Sequence, residues 1–276
     1  MKFLELPCVV LVVSCAVLNA PARAAETNSA PAVNFVTRPE SSYPRLVLED
    51  ARLVLTAPVR WDVRDWLWFS ADALVVAGVA LAADPGVEGY VEEHNSESIS
   101  RALKWVEPFG AEYAIGLIGA FYAGGLITGD STARHVGEDG IVASILAGGI
   151  ITPALKLATG RTRPRADGED YDFHPFSGNA SFPSGHATEA FAVASVVTEY
   201  YDGTWVEVLS YGVASLVAAA RVDHTAHYVS DVVAGALIGS SVGKVVVRTN
   251  ARERSGLTLQ PVIGDDFVGL AACTTF

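Results

Sequence analysis

Apolar residues recur in six long segments of this 276-residue chain, and charged residues, Pro and Gly concentrate in the connections between them. The segments cover roughly residues 66–83, 111–128, 141–158, 187–201, 205–222 and 229–247. Their length favours helices over strands. The pattern therefore predicts an all-α fold in which six helices pack into a bundle between residues 66 and 250.

Both flanks of the helical region show a strand-like pattern. The stretch RLVLEDARLVLTAPVRW at 45–61 alternates in a way that favours one or two short strands. Near the C-terminus, LQPVIGDDFVGLAACTTF breaks at Gly264-Asp265-Asp266, a plausible hairpin turn. We expect an N-terminal extension at 25–65 and a β-like tail at 251–276, with a strand of the tail pairing with a strand near residue 50.

The first 24 residues, MKFLELPCVVLVVSCAVLNAPARA, are typical of a cleaved export signal. A single Lys precedes an apolar run, and Ala22-Arg23-Ala24 fits the small-x-small cleavage pattern. A lipoprotein signal ending at Cys15 is the alternative. Cleavage would leave Cys273 as the only cysteine, so the mature chain would form no internal disulfide. We expect export to the bacterial cell envelope.

The net charge of −12 argues against nucleic acid as a partner, because the phosphate backbone attracts basic surfaces. The third and sixth apolar segments are long enough to cross a bilayer, whereas the second and fourth are marginal. Lys and Arg are not enriched on alternate connections, as an ordinary multi-span topology requires. We therefore expect a membrane-associated periplasmic protein, with an integral inner-membrane protein as the alternative.

Three connections carry candidate chemistry, and the first is LKLATGRTRPRADG. Lys156 lies in the last turn of the third predicted helix, Gly160 can end that helix, and Arg163 follows. Cations near a helix C-terminus also interact favourably with its dipole. That effect alone accounts for Lys156, and we expect Arg161 and Arg165 to be surface charges.

The second connection, SFPSGHATEAF, opens the fourth predicted helix. Ser184 can cap this helix, and Gly185 permits close backbone approach, so free N–H groups can face an anion. A helix cap alone does not require His186.

The third connection is ARVDHTAHYVSDVVAG, with Arg221, His227 and Asp231. A carboxylate four residues after a histidine can hold one imidazole nitrogen and leave the other free as a nucleophile. Taken singly, His224 and His227 would be loop histidines without a role. Taken together, the three connections supply what is needed to bind a phosphate and to displace its ester.

The order Lys156-x6-Arg163-Pro164, Pro183-Ser184-Gly185-His186 and Arg221-x5-His227-x3-Asp231 resembles the signature of the type 2 phosphatidic acid phosphatase and vanadium haloperoxidase superfamily. The six-segment layout extends this resemblance over about 66–247. Ala220 departs from the pattern, because the family usually has a serine before the arginine.

The resemblance implies that His227 attacks phosphorus, that Asp231 orients it, and that His186 acts as acid and then as base. It also implies a set of phosphate-binding groups and no metal or cofactor. These groups are Lys156, Arg163, Ser184, Gly185 and Arg221.

The implied activity is hydrolysis of phosphate monoesters or pyrophosphates, with lipid phosphates of the envelope as the expected substrates. A soluble acid phosphatase that accepts small phosphomonoesters is an alternative. A vanadate-dependent haloperoxidase is another, although such enzymes usually carry longer insertions between the first two motifs. A helical envelope protein with a vestigial site is the non-enzymatic alternative.

Overall fold

A computed structural model describes residues 43–164, 172–254, 258–264 and 267–273. The predicted export signal, Cys15 and Arg165 lie outside these residues. The N-terminal half contains six α-helices and one 3-10 helix, Glu107–Gly110, between α5 and α6. The helices are α1 (Tyr43–Leu55), α2 (Ala57–Arg60), α3 (Val63–Ala82), α4 (Asp84–His94), α5 (Glu97–Leu103) and α6 (Glu112–Thr128).

The C-terminal half contains the remaining helices and a two-stranded hairpin. Its elements are α7 (Ser131–Ser144), a π-helical segment (Ile145–Ile151), α8 (Thr152–Thr159), α9 (Gly185–Tyr200), α10 (Thr204–Asp223), α11 (Val229–Arg254), β1 (Thr258–Gly264) and β2 (Phe267–Cys273). The chain is all-helical apart from this hairpin, within the part that the structure describes.

Every predicted apolar segment lies in a long helix, but the count of six is too small for the described residues. The third segment belongs to one continuous helical stretch from Ser131 to Thr159. Its π-helical part ends at Ile151, two residues before Pro153, whose missing N–H removes a regular helical hydrogen bond. Short helices that the hydropathy pattern did not predict, α1, α2, α4 and α5, precede α6.

The strand predicted at 45–61 is wrong, because this stretch forms helices α1 and α2. Val47, Ala51 and Val54 follow a spacing of four and three residues, and all three pack against the main apolar core. The apparent alternation is thus one face of an amphipathic helix. The expected pairing of the C-terminal tail with residue 50 is also wrong, since β1 pairs antiparallel with β2.

The main apolar core is formed by α7, the π-helical segment, α9 and α11. Among the described elements, α9 and α11 make the most extensive contact. The close approach of α11 to α9 depends on three glycines of α11 that are spaced four residues apart, Gly235, Gly239 and Gly243. A Cβ atom at Gly239 would lie 2.2 Å from the backbone oxygen of Thr188 on α9. These glycines hold the N-terminal turns of α9 and α11 side by side.

Several helices expose apolar side chains over most of their length. In α3, no residue is buried, and Leu67, Leu74 and Leu81 are each more than half exposed. Within the described ranges, four helical stretches are long and apolar enough to cross a membrane, Val63–Ala82, Ser131–Thr159, Thr204–Asp223 and Val229–Arg252. This composition indicates membrane association.

Candidate active site

The candidate nucleophile, His227, lies in the short connection between α10 and α11 and is 3% exposed. Its backbone N–H donates to the carbonyl oxygen of Arg221 at 3.2 Å, which places it beside the end of α10. Its Nδ1 atom lies 3.5 Å from Oδ2 of Asp231, in the first turn of α11. Because Nδ1 faces this carboxylate, Nε2 is the ring nitrogen left for a substrate.

The start of α9 packs directly against this histidine and aspartate pair. Ser184 caps α9, with its hydroxyl accepting from the N–H of Ala187, and its own backbone N–H donates to the carbonyl oxygen of Asp231 at 3.0 Å. Gly235 makes the approach possible, because a Cβ there would lie 2.7 Å from the backbone oxygen of Ser184. The second predicted motif therefore lies against the third.

The end of α8 brings the first motif to the same place. Gly160 ends the helix with φ of 56°, and a Cβ there would overlap the backbone of His174, so this position requires glycine. Lys156, one turn earlier, donates through Nζ to the carbonyl oxygens of Ala180 and Ser181. Lys156 therefore lies at the entry to α9.

The pKa values of both histidines are affected by the predicted cations. Burial lowers the pKa of His227 to about 4, Asp231 opposes this shift, and Lys156 and Arg221 add to it. Burial likewise lowers the pKa of His186, whereas Glu112 opposes the shift and Arg163 and Lys156 add to it. Both imidazoles are therefore mainly neutral at neutral pH when no anion is bound.

Arg221 lies in the last turn of α10 and is buried. Its Nη1 atom forms an ion pair with Glu107 of the 3-10 helix, whose other carboxylate oxygen lies 2.9 Å from Nδ1 of His224. His224 also contacts the backbone oxygen of Ser100 at 3.2 Å. His224 is therefore a structural partner of the element that holds Arg221, and not an isolated loop histidine.

The prediction that Arg161 is a surface charge is wrong. Its side chain is 1% exposed and forms ion pairs with Asp231 and with Asp84, the first residue of α4. Ser181 was also missed, and its hydroxyl donates to Oδ2 of Asp231 at 2.5 Å. A sequence signal existed only for Arg161, which lies two residues before the predicted phosphate ligand Arg163.

A family model described as the PAP2 superfamily matches residues 140–255, which contain all three motifs. Over these residues the chain is similar to the PAP2 superfamily.

Two curated phosphatases are similar to part of this chain. Lipid phosphate phosphatase 1 of Arabidopsis thaliana is 32% identical over 140 residues, which cover 40% of this chain and 43% of that protein. Lipid A 1-phosphatase of Porphyromonas gingivalis is 36% identical over 102 residues, which cover 36% of this chain and 20% of that protein. The chain thus spans less than half the length of these two relatives.

A solved structure is similar to this chain in its helical fold. The transmembrane PAP2 type phosphatidylglycerolphosphate phosphatase from Bacillus subtilis superposes with a TM-score of 0.51 and 17% sequence identity. The match covers 67% of this chain and 94% of that chain. At this level of identity the likeness concerns the helical architecture alone.

Proposed function

We propose that this protein is a metal-independent phosphatase that hydrolyses phosphate monoesters or pyrophosphates through a phosphohistidine at His227. The observation that carries the proposal is the buried pair of His227 and Asp231 beside the start of α9. Lys156 of α8 donates to the loop that leads into α9. The buried carboxylate orients the imidazole and stabilises the positive charge that develops on it.

In the first step, Nε2 of His227 attacks phosphorus, and the bond between phosphorus and the ester oxygen breaks. His186 donates a proton to the leaving oxygen. A bound phosphate dianion raises the pKa of His186, so substrate binding itself favours the protonated acid. The products of this step are the free alcohol, or a phosphate when the substrate is a pyrophosphate, and a phosphorylated His227.

In the second step, neutral His186 accepts a proton from water while the water oxygen attacks phosphorus. The bond between phosphorus and nitrogen breaks, which releases inorganic phosphate and regenerates neutral His227. Lys156, Arg163 and Arg221 supply the positive charge that holds the phosphate oxygens in both steps. Ser184 and the Gly185 N–H at the helix N-terminus complete the proposed phosphate seat.

We further propose a phosphorylated lipid as the substrate and the membrane as the location of the protein. Three leucines of α3 are each more than half exposed, and a lipid phase would remove their apolar surface from water. The site lies where α8 and α10 end and α9 and α11 begin, at one end of these helices. A phosphorylated headgroup at the membrane surface can reach such a site while its acyl chains remain in the bilayer.

The test is phosphate release from a panel of substrates in the presence of EDTA. The panel contains phosphatidic acid, phosphatidylglycerol phosphate, undecaprenyl pyrophosphate, lipid A and p-nitrophenyl phosphate. We expect EDTA-resistant turnover that is fastest on a lipid. Bromide oxidation with added vanadate and peroxide, without phosphate release, would instead identify a haloperoxidase.

The variant His227→Ala tests the nucleophile. We expect loss of turnover by several powers of ten with an unchanged thermal unfolding transition. Labelled substrate should leave an acid-labile, alkali-stable phosphate on the wild-type protein and none on this variant. His94→Ala is the matched control, because His94 is exposed on α4. Near-normal turnover by His227→Ala would refute the assignment.

A further inference from the structure

Arg161 lies between two buried aspartates. Its Nη1 atom donates to Oδ1 of Asp231 at 2.7 Å and to Oγ of Ser230 at 2.7 Å, and Nη2 donates to Oδ2 of Asp84 at 2.9 Å. The guanidinium carbon lies 4.0 Å from the ring centroid of Tyr228. Arg161 therefore links three parts of the fold: α4, the loop before α11, and α11 itself.

The Asp231 carboxylate is held on both of its oxygens. Oδ1 accepts from Arg161, while Oδ2 accepts from the hydroxyl of Ser181 at 2.5 Å and from the N–H of Tyr228 at 3.1 Å. His227 approaches the same Oδ2. Arg161 is therefore the contact that fixes the rotation of the carboxylate from the side opposite His227.

We propose that Arg161, anchored by Asp84, is a positioning residue that holds the Asp231 carboxylate in the orientation needed by His227. The inference rests on the proposed function, because it assigns Arg161 a part in the action of the His227 and Asp231 pair. In this role Arg161 acts through Asp231 and not by direct contact with the reacting atoms.

The chemistry of the two aspartates explains why an arginine stands here. Asp84 also accepts from the backbone N–H of Ser230 at 2.9 Å, so it fixes the start of α11 as well as Arg161. Without the guanidinium, two carboxylates would share a buried region with no cation between them. Lysine keeps the charge but is a point donor, and it cannot reproduce the planar fork that reaches both carboxylates.

The ion pair of Arg254 and Asp139 provides a matched control. Its Nη2 to Oδ1 distance is also 2.7 Å, and Asp139 is fully buried. Arg254 lies at the other end of α11 from Asp231, so it shares the energetics of a buried ion pair without contacting the site.

The experiment measures kcat and KM for Arg161→Lys, Asp84→Asn and Arg254→Lys, each alone and combined with Asp231→Asn. We expect Arg161→Lys and Asp84→Asn to lower kcat by about 10- to 100-fold, with KM changed less than about threefold. In the Asp231→Asn background, either substitution should lower kcat by no more than about twofold, since its effect is transmitted through Asp231.

Arg254→Lys should lower the unfolding temperature while leaving kcat within about twofold of wild type in both backgrounds. If Arg161→Lys lowers kcat in the Asp231→Asn background by the same factor as in the wild-type background, the inference is overturned. An unchanged kcat in the single variant Arg161→Lys would overturn it as well. If His227→Ala retains turnover, the proposed function itself fails. If His227→Ala is inactive and Arg161→Lys is normal, only the positioning role fails. Asp84→Asn, which retains Arg161, keeps the test decisive if Arg161→Lys does not fold.

Discussion

Gly239→Ala tests whether the tight contact between α9 and α11 sets the geometry of the site. The added Cβ would lie 2.2 Å from the backbone oxygen of Thr188 and 2.8 Å from the backbone nitrogen of Ala192. Neither atom belongs to a flexible side chain, so the two helices must separate by about 1 Å to restore normal contact. The substitution therefore acts on the backbone that carries Ser184 and His186.

The expected magnitude has two parts. Overpacking of this kind costs about 1–3 kcal/mol of unfolding free energy, offset in part by the roughly 0.5–1 kcal/mol that Ala gains over Gly in a helix. A displacement of about 1 Å between reacting groups lowers the rate by about 100-fold. We expect a lower unfolding temperature and a much larger loss of kcat than the stability change alone would produce.

The assay combines thermal unfolding with phosphate release in the same detergent. The matched control is Gly78→Ala on α3, where a Cβ would have nothing within 4 Å. That variant should unfold at the same or a higher temperature and retain full turnover. Wild-type stability and turnover in Gly239→Ala would show that the helices can separate without consequence, and would refute the reasoning.

Three further outcomes follow from other parts of the molecule. Val75→Arg in the middle of exposed α3 should release the protein from carbonate-washed membranes, at an insertion cost of about 3 kcal/mol, whereas Leu48→Arg on α1 should not. Because the pKa of His227 is about 4 in the folded state and near 6.5 when unfolded, falling pH through this window should destabilise the protein, and His227→Gln should flatten the dependence. Asp62→Ala removes the capping box of α3 and should cost about 1 kcal/mol of unfolding free energy.

Local patterns were sufficient to predict the similarity to the PAP2 superfamily and most of the helical region. The motif residues Lys156, His186 and His227 lie in or beside connections whose order is readable along the chain. The long helices follow from uninterrupted apolar segments. The N-terminal stretch was misread because a short amphipathic helix such as α1 can imitate strand alternation over a few residues. Only contact with the core distinguishes the two, and that contact involves residues far away in the sequence.

The position of Arg161 was unpredictable for the same reason. Its carboxylate partners are separated from it by 77 and 70 residues, and none of the three carries a periodic signal that marks it as buried. A charged residue in a loop beside Pro and Gly is ordinarily solvated, so the surface prediction followed the usual energetics. It failed because two aspartates and a serine make burial of this cation favourable. A buried cation of this kind is defined by its tertiary partners, and in this fold those partners include the aspartate that faces His227.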